Sequence, residues 1–195
     1  MIRIGILGDI GSGKSYVAKN FGYPVFNADY EVSKLYKKNK KIYQKLKKCL
    51  PKYIYKFPID KLQLSKAIIV NNSNLKKIIK IVHKEIRNEL RSFLKKNKNK
   101  KFVVLDIPLL LENKINRNKD ILVYVQSKKA DILKNLSKRK NYNPRILKKF
   151  KKIQLPLAYK KKISSFVIIN KFTEKSVKHS VKNILKTIKN ERNSP

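Results

Sequence analysis

The sequence predicts an α/β fold, a five-stranded parallel sheet with helices on both faces, and three observations carry that expectation. Short apolar runs of strand length recur along the 195 residues, each followed by a stretch with helical patterning. The first run, Ile2 to Leu7, passes directly into the glycine turn GDIGSGKS and then into a helical stretch. A long block from Tyr30 to Asn99 has helical texture with little strand signal, so a helical insert interrupts the alternation.

Taken in order, Ile2–Leu7 is a strand broken only by Arg3, and Ser12–Phe21 is the helix after the glycine turn. Pro24–Asn27 is a second short strand, ending at Ala28-Asp29. Leu50-Pro51 and Phe57-Pro58 punctuate the helical block. Beyond Ser73, the residues Leu75, Ile78, Ile79, Val82, Ile86, Leu90, Phe93 and Leu94 recur mostly three and four apart, which sets one apolar face on a long helix. Phe102–Asp106 is a buried-type strand stopped by Pro108, and Ile121–Val125 is the next. Ser127 is placed to cap the helix carrying Ile132, Leu133 and Leu136 by accepting a bond from an early backbone N–H. Phe166–Ile169 is the last strand, and the final helix sets Val177, Val181, Ile184, Leu185 and Ile188 on one face. This is one domain, with core segments at about residues 1–29, 100–134 and 164–195 and a helical insert at about 30–99.

Composition narrows the function classes. No apolar run approaches the roughly 18 residues of a membrane span, and the N-terminal MIRIGIL lacks a small-residue cleavage site, so no membrane association is expected. A lone cysteine, Cys49, rules out an internal disulfide, and a cytoplasmic location follows as the expectation. The formal net charge of +38 has two readings, a nucleic-acid surface or a drift toward AT-rich codons. The lysines are spread over every polar helical face and are not interleaved with stacking aromatics, which favours drift; no specific nucleic-acid partner is expected.

Gly8, Gly13, Lys14 and Ser15 fit the phosphate-loop spacing G-x4-G-K-[ST], in the context of strand, turn and helix that gives the motif its meaning. Gly8, Gly11 and Gly13 let the backbone turn its N–H groups toward phosphate oxygens. Lys14 would reach the β- and γ-phosphates, and the Ser15 hydroxyl would ligate Mg²⁺. The spacing therefore implies ATP with Mg²⁺ as cofactor and a P-loop NTPase fold. Asp106 ends the apolar run VVLD, the form of the second nucleotide motif, and would hold Mg²⁺ directly or through water; an ordinary strand-end aspartate is equally compatible. Asp29 ends the second strand, where ligands of open α/β sheets sit, and a carboxylate there can accept a hydroxyl proton. Capping the next helix is its other role. Arg139 could close over the phosphates, although it is one of many cations. His83 lies beside the apolar face of the long helix, where packing alone would account for it.

Several segments, in order along nearly the whole chain, resemble the dephospho-CoA kinase family: IGSGKS (residues 10–15), NADYEVSKLY (27–36), IVHKEIRNEL (81–90), DIPLLLEN (106–113), Gln154-Leu155-Pro156, and VIIN ending at Asn170. DIPLLLEN is the most specific, since P-L-L-x-E is typical of that family among phosphate-loop kinases. The resemblance implies ATP and dephospho-CoA as substrates and Asp29 as the base at the ribose 3′-hydroxyl. It implies Gly11, Ser12, Gly13, Lys14, Ser15 and Tyr16 around the ATP phosphates, and Arg139 as the arginine of a lid at about residues 135–163. The helical insert would bind the CoA end through His83 and Arg87, with Pro108, Leu109 and Glu112 shaping the acceptor side. A monomer is expected. The chain departs from the family pattern at Tyr16, Lys84, Asn135 and Ser164-Ser165, positions that bear on lid closure and affinity rather than on reaction type. The rival readings are another small-molecule kinase of this fold, of the nucleoside monophosphate or shikimate type, and a nucleic-acid-binding ATPase.

Overall fold

All seven residues of the first strand, β1 (Ile2–Gly8), are buried, as a central strand covered on both faces requires. A computed structural model describes residues 1–139 and 142–191. It places β1 in the middle of a parallel sheet with β2 (Val25–Asn27), β3 (Phe102–Asp106), β4 (Ile121–Gln126) and β5 (Phe166–Ile169) in the order β2-β3-β1-β4-β5. Strand number and the parallel sense match the sequence expectation. Ile2, Ile4 and Ile6 alternate onto one face, where they join Val17, Ala18 and Phe21 of and beside α1 (Lys14–Asn20) and Val177, Val181, Ile184 and Ile188 of α9 (Glu174–Glu191). At Gly5, on the opposite face, Leu110 and Leu122 close in. Of the stripe predicted for the last helix, Val177, Val181, Ile184 and Ile188 are buried and Leu185 is partly buried.

The chain divides into two compact units, residues 1–27, 97–142 and 153–195 in the first, and residues 28–96 and 143–152 in the second. The second is all helix: α2 (Ala28–Lys38), α3 (Lys40–Cys49), α4 (Lys61–Val70), α5 (Asn72–Lys96) and most of α7 (Pro144–Ile153). Its spine is α5, which buries Leu75, Ile78, Val82, Ile86 and Leu90 at the predicted spacing. Asn39 and Asp60 cap α3 and α4, accepting from Ile42 N (3.0 Å) and Gln63 N (2.7 Å). Buried Gln63 also stitches the proline-punctuated loop. Its Oε1 accepts from Tyr55 N and Lys56 N, and its Nε2 donates to Lys56 O.

Two expectations need correction at helix starts. Ser127 is not a cap: α6 (Lys129–Ser137) starts after Lys128, which makes no side-chain cap bond, and the Ser127 hydroxyl instead donates to the carbonyl of Ser12 at 3.0 Å. The helix predicted from Ser12 starts at Lys14, because Gly13 sits at φ 88, a left-handed conformation that a continuing helix excludes. The region expected as a lid holds the end of α6, then α7 and α8 (Leu157–Lys162).

Twelve acidic residues cannot pair one to one with fifty basic ones. Exposed pairs join Lys34 to Glu31 (3.3 Å), Lys45 to Glu85 (3.7 Å) and Lys178 to Glu174. By contrast Lys76, Lys80 and Lys84 follow one another at single-turn spacing along α5, each like-charge step costing about 0.2–0.5 kcal/mol. Added salt screens such repulsion, with a screening length of about 8 Å at physiological ionic strength. The melting temperature is therefore expected to rise between low salt and about 0.15 M NaCl in a scanning measurement; a flat or falling trend would show that self-repulsion is unimportant.

Candidate active site

In the first unit, β1 delivers Gly8 to a tight loop that returns into α1 at Lys14. Ser12 N donates to Asp9 O (3.2 Å), and the Asp9 carboxylate accepts from Ile10 N (2.7 Å). The Lys14 ammonium folds back over the loop and donates to Asp9 O (2.7 Å) and Gly8 O (3.3 Å). Gly11 and Gly13 are both at φ 88. At Gly13 the requirement for glycine is double, because a Cβ would lie 2.3 Å from Asn170 Nδ2 in addition to the backbone strain. At Gly11 a Cβ would meet Leu136 at 2.8 Å and Ile132 at 3.0 Å, which shows how closely α6 supports the loop. Ser12 is 1% exposed, and its Oγ has no hydrogen-bond partner among the described residues. Ser15 and Tyr16 are exposed at the start of α1.

Asp106 closes β3 in register with Asn27 at the end of β2, and Asn27 Nδ2 donates to its Oδ2 at 2.6 Å. The carboxylate is buried. The turn after β3 carries Pro108 and Leu109, half-buried, then Leu110 and Leu111, buried. Glu112 follows with one carboxylate oxygen held from within the unit, while its buried Oε2 has no hydrogen-bond partner among the described residues. Oε1 pairs with the ammonium of Lys160 on α8 at 2.6 Å and accepts from Leu155 N at 2.9 Å. Lys160 is 1% exposed. Arg139 is exposed just beyond α6, its backbone N–H donating to Leu136 O (3.0 Å) and its carbonyl accepting from Tyr142 N (2.9 Å).

The helical unit begins at Ala28, where α2 follows β2 without a loop, so Asp29 lies inside the helix and is not its cap. It lies exposed in the first turn of α2, two residues beyond Asn27. His83 and Arg87 sit one turn apart on α5 and line a cleft of about 410 Å³ together with Lys80, Lys84, Asn88 and Arg91. Burial pushes the His83 imidazole below its usual range, and the Arg87 cation adds to the effect. The folded chain therefore binds fewer protons here than the unfolded chain, so the contribution to stability is full above the ordinary histidine pKa of about 6.5 and falls away as the pH drops through it. A proton-detected titration is expected to show His83 neutral at pH 7 with a midpoint below 6.5, and His83→Gln to flatten the acid side of the stability profile; a midpoint above 6.5 would reverse the sign.

The structure gathers Gly11, Ser12, Gly13, Lys14 and Asp106 at the carboxyl ends of parallel strands in one unit, and His83 with Arg87 in the other. Sequence reading missed Lys160, Asn27 and the true role of Ser127. Lys160 is one lysine among many, with no pattern to mark it as buried. Among the described residues no cluster of three or more His, Cys, Asp or Glu could hold a metal unaided.

The model of the dephospho-CoA kinase family matches residues 2–176. The chain is 36% identical over 190 residues to the dephospho-CoA kinase of Wolbachia sp. subsp. Brugia malayi, covering 95% of this chain and 97% of that one. Among solved structures it is similar to a Thermus thermophilus protein (TM-score 0.75, 26% identity, 97% of each chain). It also shares its fold with the dephospho-CoA kinase from Campylobacter jejuni (TM-score 0.60, 20% identity, 95% of this chain and 96% of that one).

Proposed function

Because the chain belongs to the dephospho-CoA kinase family, we propose that it moves the γ-phosphoryl group of ATP to the ribose 3′-hydroxyl of dephospho-CoA, with Asp29 as proton acceptor, giving CoA and ADP. The chain is a kinase, and the reading of its chemistry rests above all on the loop from Gly8 to Ser15. That loop has two glycines at φ 88 and a lysine whose ammonium is aimed across it, the arrangement a triphosphate needs.

Each residue then has a stated task. Gly11 to Tyr16 wrap the phosphates, and Lys14 exchanges its loop carbonyls for β- and γ-phosphate oxygens. Asp29 accepts the proton as the 3′-oxygen attacks, while Arg139 brings positive charge to the phosphates as the transferring group separates. His83 and Arg87 hold the CoA end on α5, their cleft lined with cations as a polyanionic acceptor requires. Pro108 and Leu109 shape the acceptor side, and Glu112 sets the turn they stand on. Ser15 and Asp106, the latter through water or directly, would hold Mg²⁺, which neutralises phosphate charge when bound. The chemistry asks mostly for positioning, so a turnover of about 1–100 s⁻¹ is expected. We place the enzyme in the cytoplasm as a monomer; no helix among the described residues is long and apolar enough to cross a membrane.

The test is a coupled assay with Mg²⁺-ATP and dephospho-CoA, AMP or shikimate as acceptor. CoA formation from dephospho-CoA alone is the expected result. Turnover of AMP or shikimate in its absence would overturn the assignment of the acceptor.

A further inference from the structure

Two side chains just past the carboxyl ends of the neighbouring strands β4 and β5 converge on one backbone oxygen. Ser127 Oγ, in the turn after β4, donates to the carbonyl of Ser12 at 3.0 Å, and Asn170 Nδ2, just past β5, donates to the same oxygen at 2.9 Å. Asn170 is 2% exposed and is itself held on both sides: its N–H donates to Gln126 O (2.8 Å), and its Oδ1 accepts from Phe172 N (2.8 Å). Phe172 takes a positive φ of 58 to make that turn. The donor is therefore fixed before any ligand arrives.

We propose that Asn170 and Ser127 form a clamp that orients the peptide between Ser12 and Gly13 for phosphate binding. This rests on the reading of the glycine loop as the ATP site. The peptide is trans, so its C=O and N–H point in opposite directions. Pinning the Ser12 oxygen toward β4 and β5 turns the Gly13 N–H the other way, as a donor toward the loop's concave side. Without the clamp the plane can flip and present an oxygen, which would repel a phosphate. The clamp also explains why residue 13 must lack a Cβ, since Asn170 Nδ2 occupies the space. Neither side chain touches the nucleotide in this account; both are positioning residues.

The test measures ATP and dephospho-CoA kinetics, and melting without nucleotide, for Ser127→Ala, Ser127→Thr, Asn170→Ala and the double alanine variant. Losing one neutral hydrogen bond is expected to raise the KM for ATP by about 3- to 10-fold in each single alanine variant. Ser127→Thr, which keeps the hydroxyl, should restore it. The double variant should lose more than the product of the two, because one donor holds the oxygen when the other is gone. The KM for dephospho-CoA should not change. The chain has only five glycines, so selective ¹⁵N-glycine labelling gives a second readout: the Gly13 amide should shift on addition of a non-hydrolysable ATP analogue, and should shift less in the variants. ATP KM values within about twofold of the parent in both single variants and the double would overturn the clamp, as would a parallel rise in both KM values with a fall in melting temperature. If Asn170→Ala does not fold, Ser127→Ala against Ser127→Thr still decides. A parent protein that fails to bind the analogue overturns the nucleotide reading, and the clamp with it.

Discussion

Asp29→Asn is expected to lower kcat by about 10²–10⁴-fold while leaving the affinity for ATP at the parent value, the usual worth of a positioned general base. The substitution keeps the size and shape of the side chain and removes its negative charge together with its ability to take a proton. Its cost to the helix start can be bounded. Asp29 is exposed in the first turn of α2, where a negative charge gains about 0.3–1 kcal/mol from the helix dipole. An effect of several orders of magnitude on turnover therefore cannot come from a loosened helix. The parallel control is Glu31, the other acid of that first turn: Glu31→Gln loses the same kind of dipole interaction and a surface pair with Lys34, and should leave turnover within about twofold. Both constants come from initial-rate measurements with each substrate varied. If Asp29→Asn keeps full activity, Asp29 is only a helix-start acid and the proton leaves by another route. If ATP affinity falls together with kcat, the carboxylate acts on the nucleotide and not on the acceptor hydroxyl.

The parts of this molecule that were legible in the sequence are those written in local pattern. β3 could be read because it is a continuous apolar run that the sheet buries, β1 because only Arg3 breaks such a run, and β5 as a short apolar run of which Ile168 is buried while Val167 and Ile169 stay exposed; α5 and α9 could be read because their core residues recur at the helical period. The glycine loop was legible because its spacing is dictated by backbone geometry at Gly11 and Gly13. Contacts between distant segments were not legible. Ser127 has the composition of a helix cap, and nothing local says that its hydroxyl is claimed by Ser12, 115 residues away. Asp29 looked like a possible cap because the sequence does not reveal that β2 passes into α2 without a loop. Lys160 follows Leu157-Ala158-Tyr159 in a run of three lysines, and only one of the three, Lys160, is buried. A compositional excess of lysine masks that signal, since burial of one cannot be told from solvation of the rest.

That buried lysine gives the largest expected effect on stability. Lys160→Met is expected to destabilise the fold by about 3–5 kcal/mol, because it leaves the Glu112 carboxylate inside the protein without its counter-charge. For a chain of this size each kcal/mol moves the melting temperature by about 2–4 °C, so a fall of about 6–20 °C is expected in a thermal scan. Lost packing does not account for it, since methionine keeps most of the apolar stem. The discriminating variant is the double change Glu112→Gln with Lys160→Met. Glutamine still offers Oε1 to the Leu155 N–H, and with both charges gone no ion is stranded. The double variant should therefore be more stable than Lys160→Met alone, a coupling that two independent losses cannot produce. The pair also bears on function. Glu112 ends the turn of Pro108 and Leu109, and Leu155 stands where the chain returns from α7 to the first unit. One carboxylate thus ties the turn after β3 to Leu155, within the segment read as the lid. In the double variant, at a temperature where it is fully folded, the KM for dephospho-CoA should stay within about threefold of the parent if the neutral pair still holds Leu155. A much larger rise with normal stability would mean that the charge of Glu112 is felt by the acceptor itself.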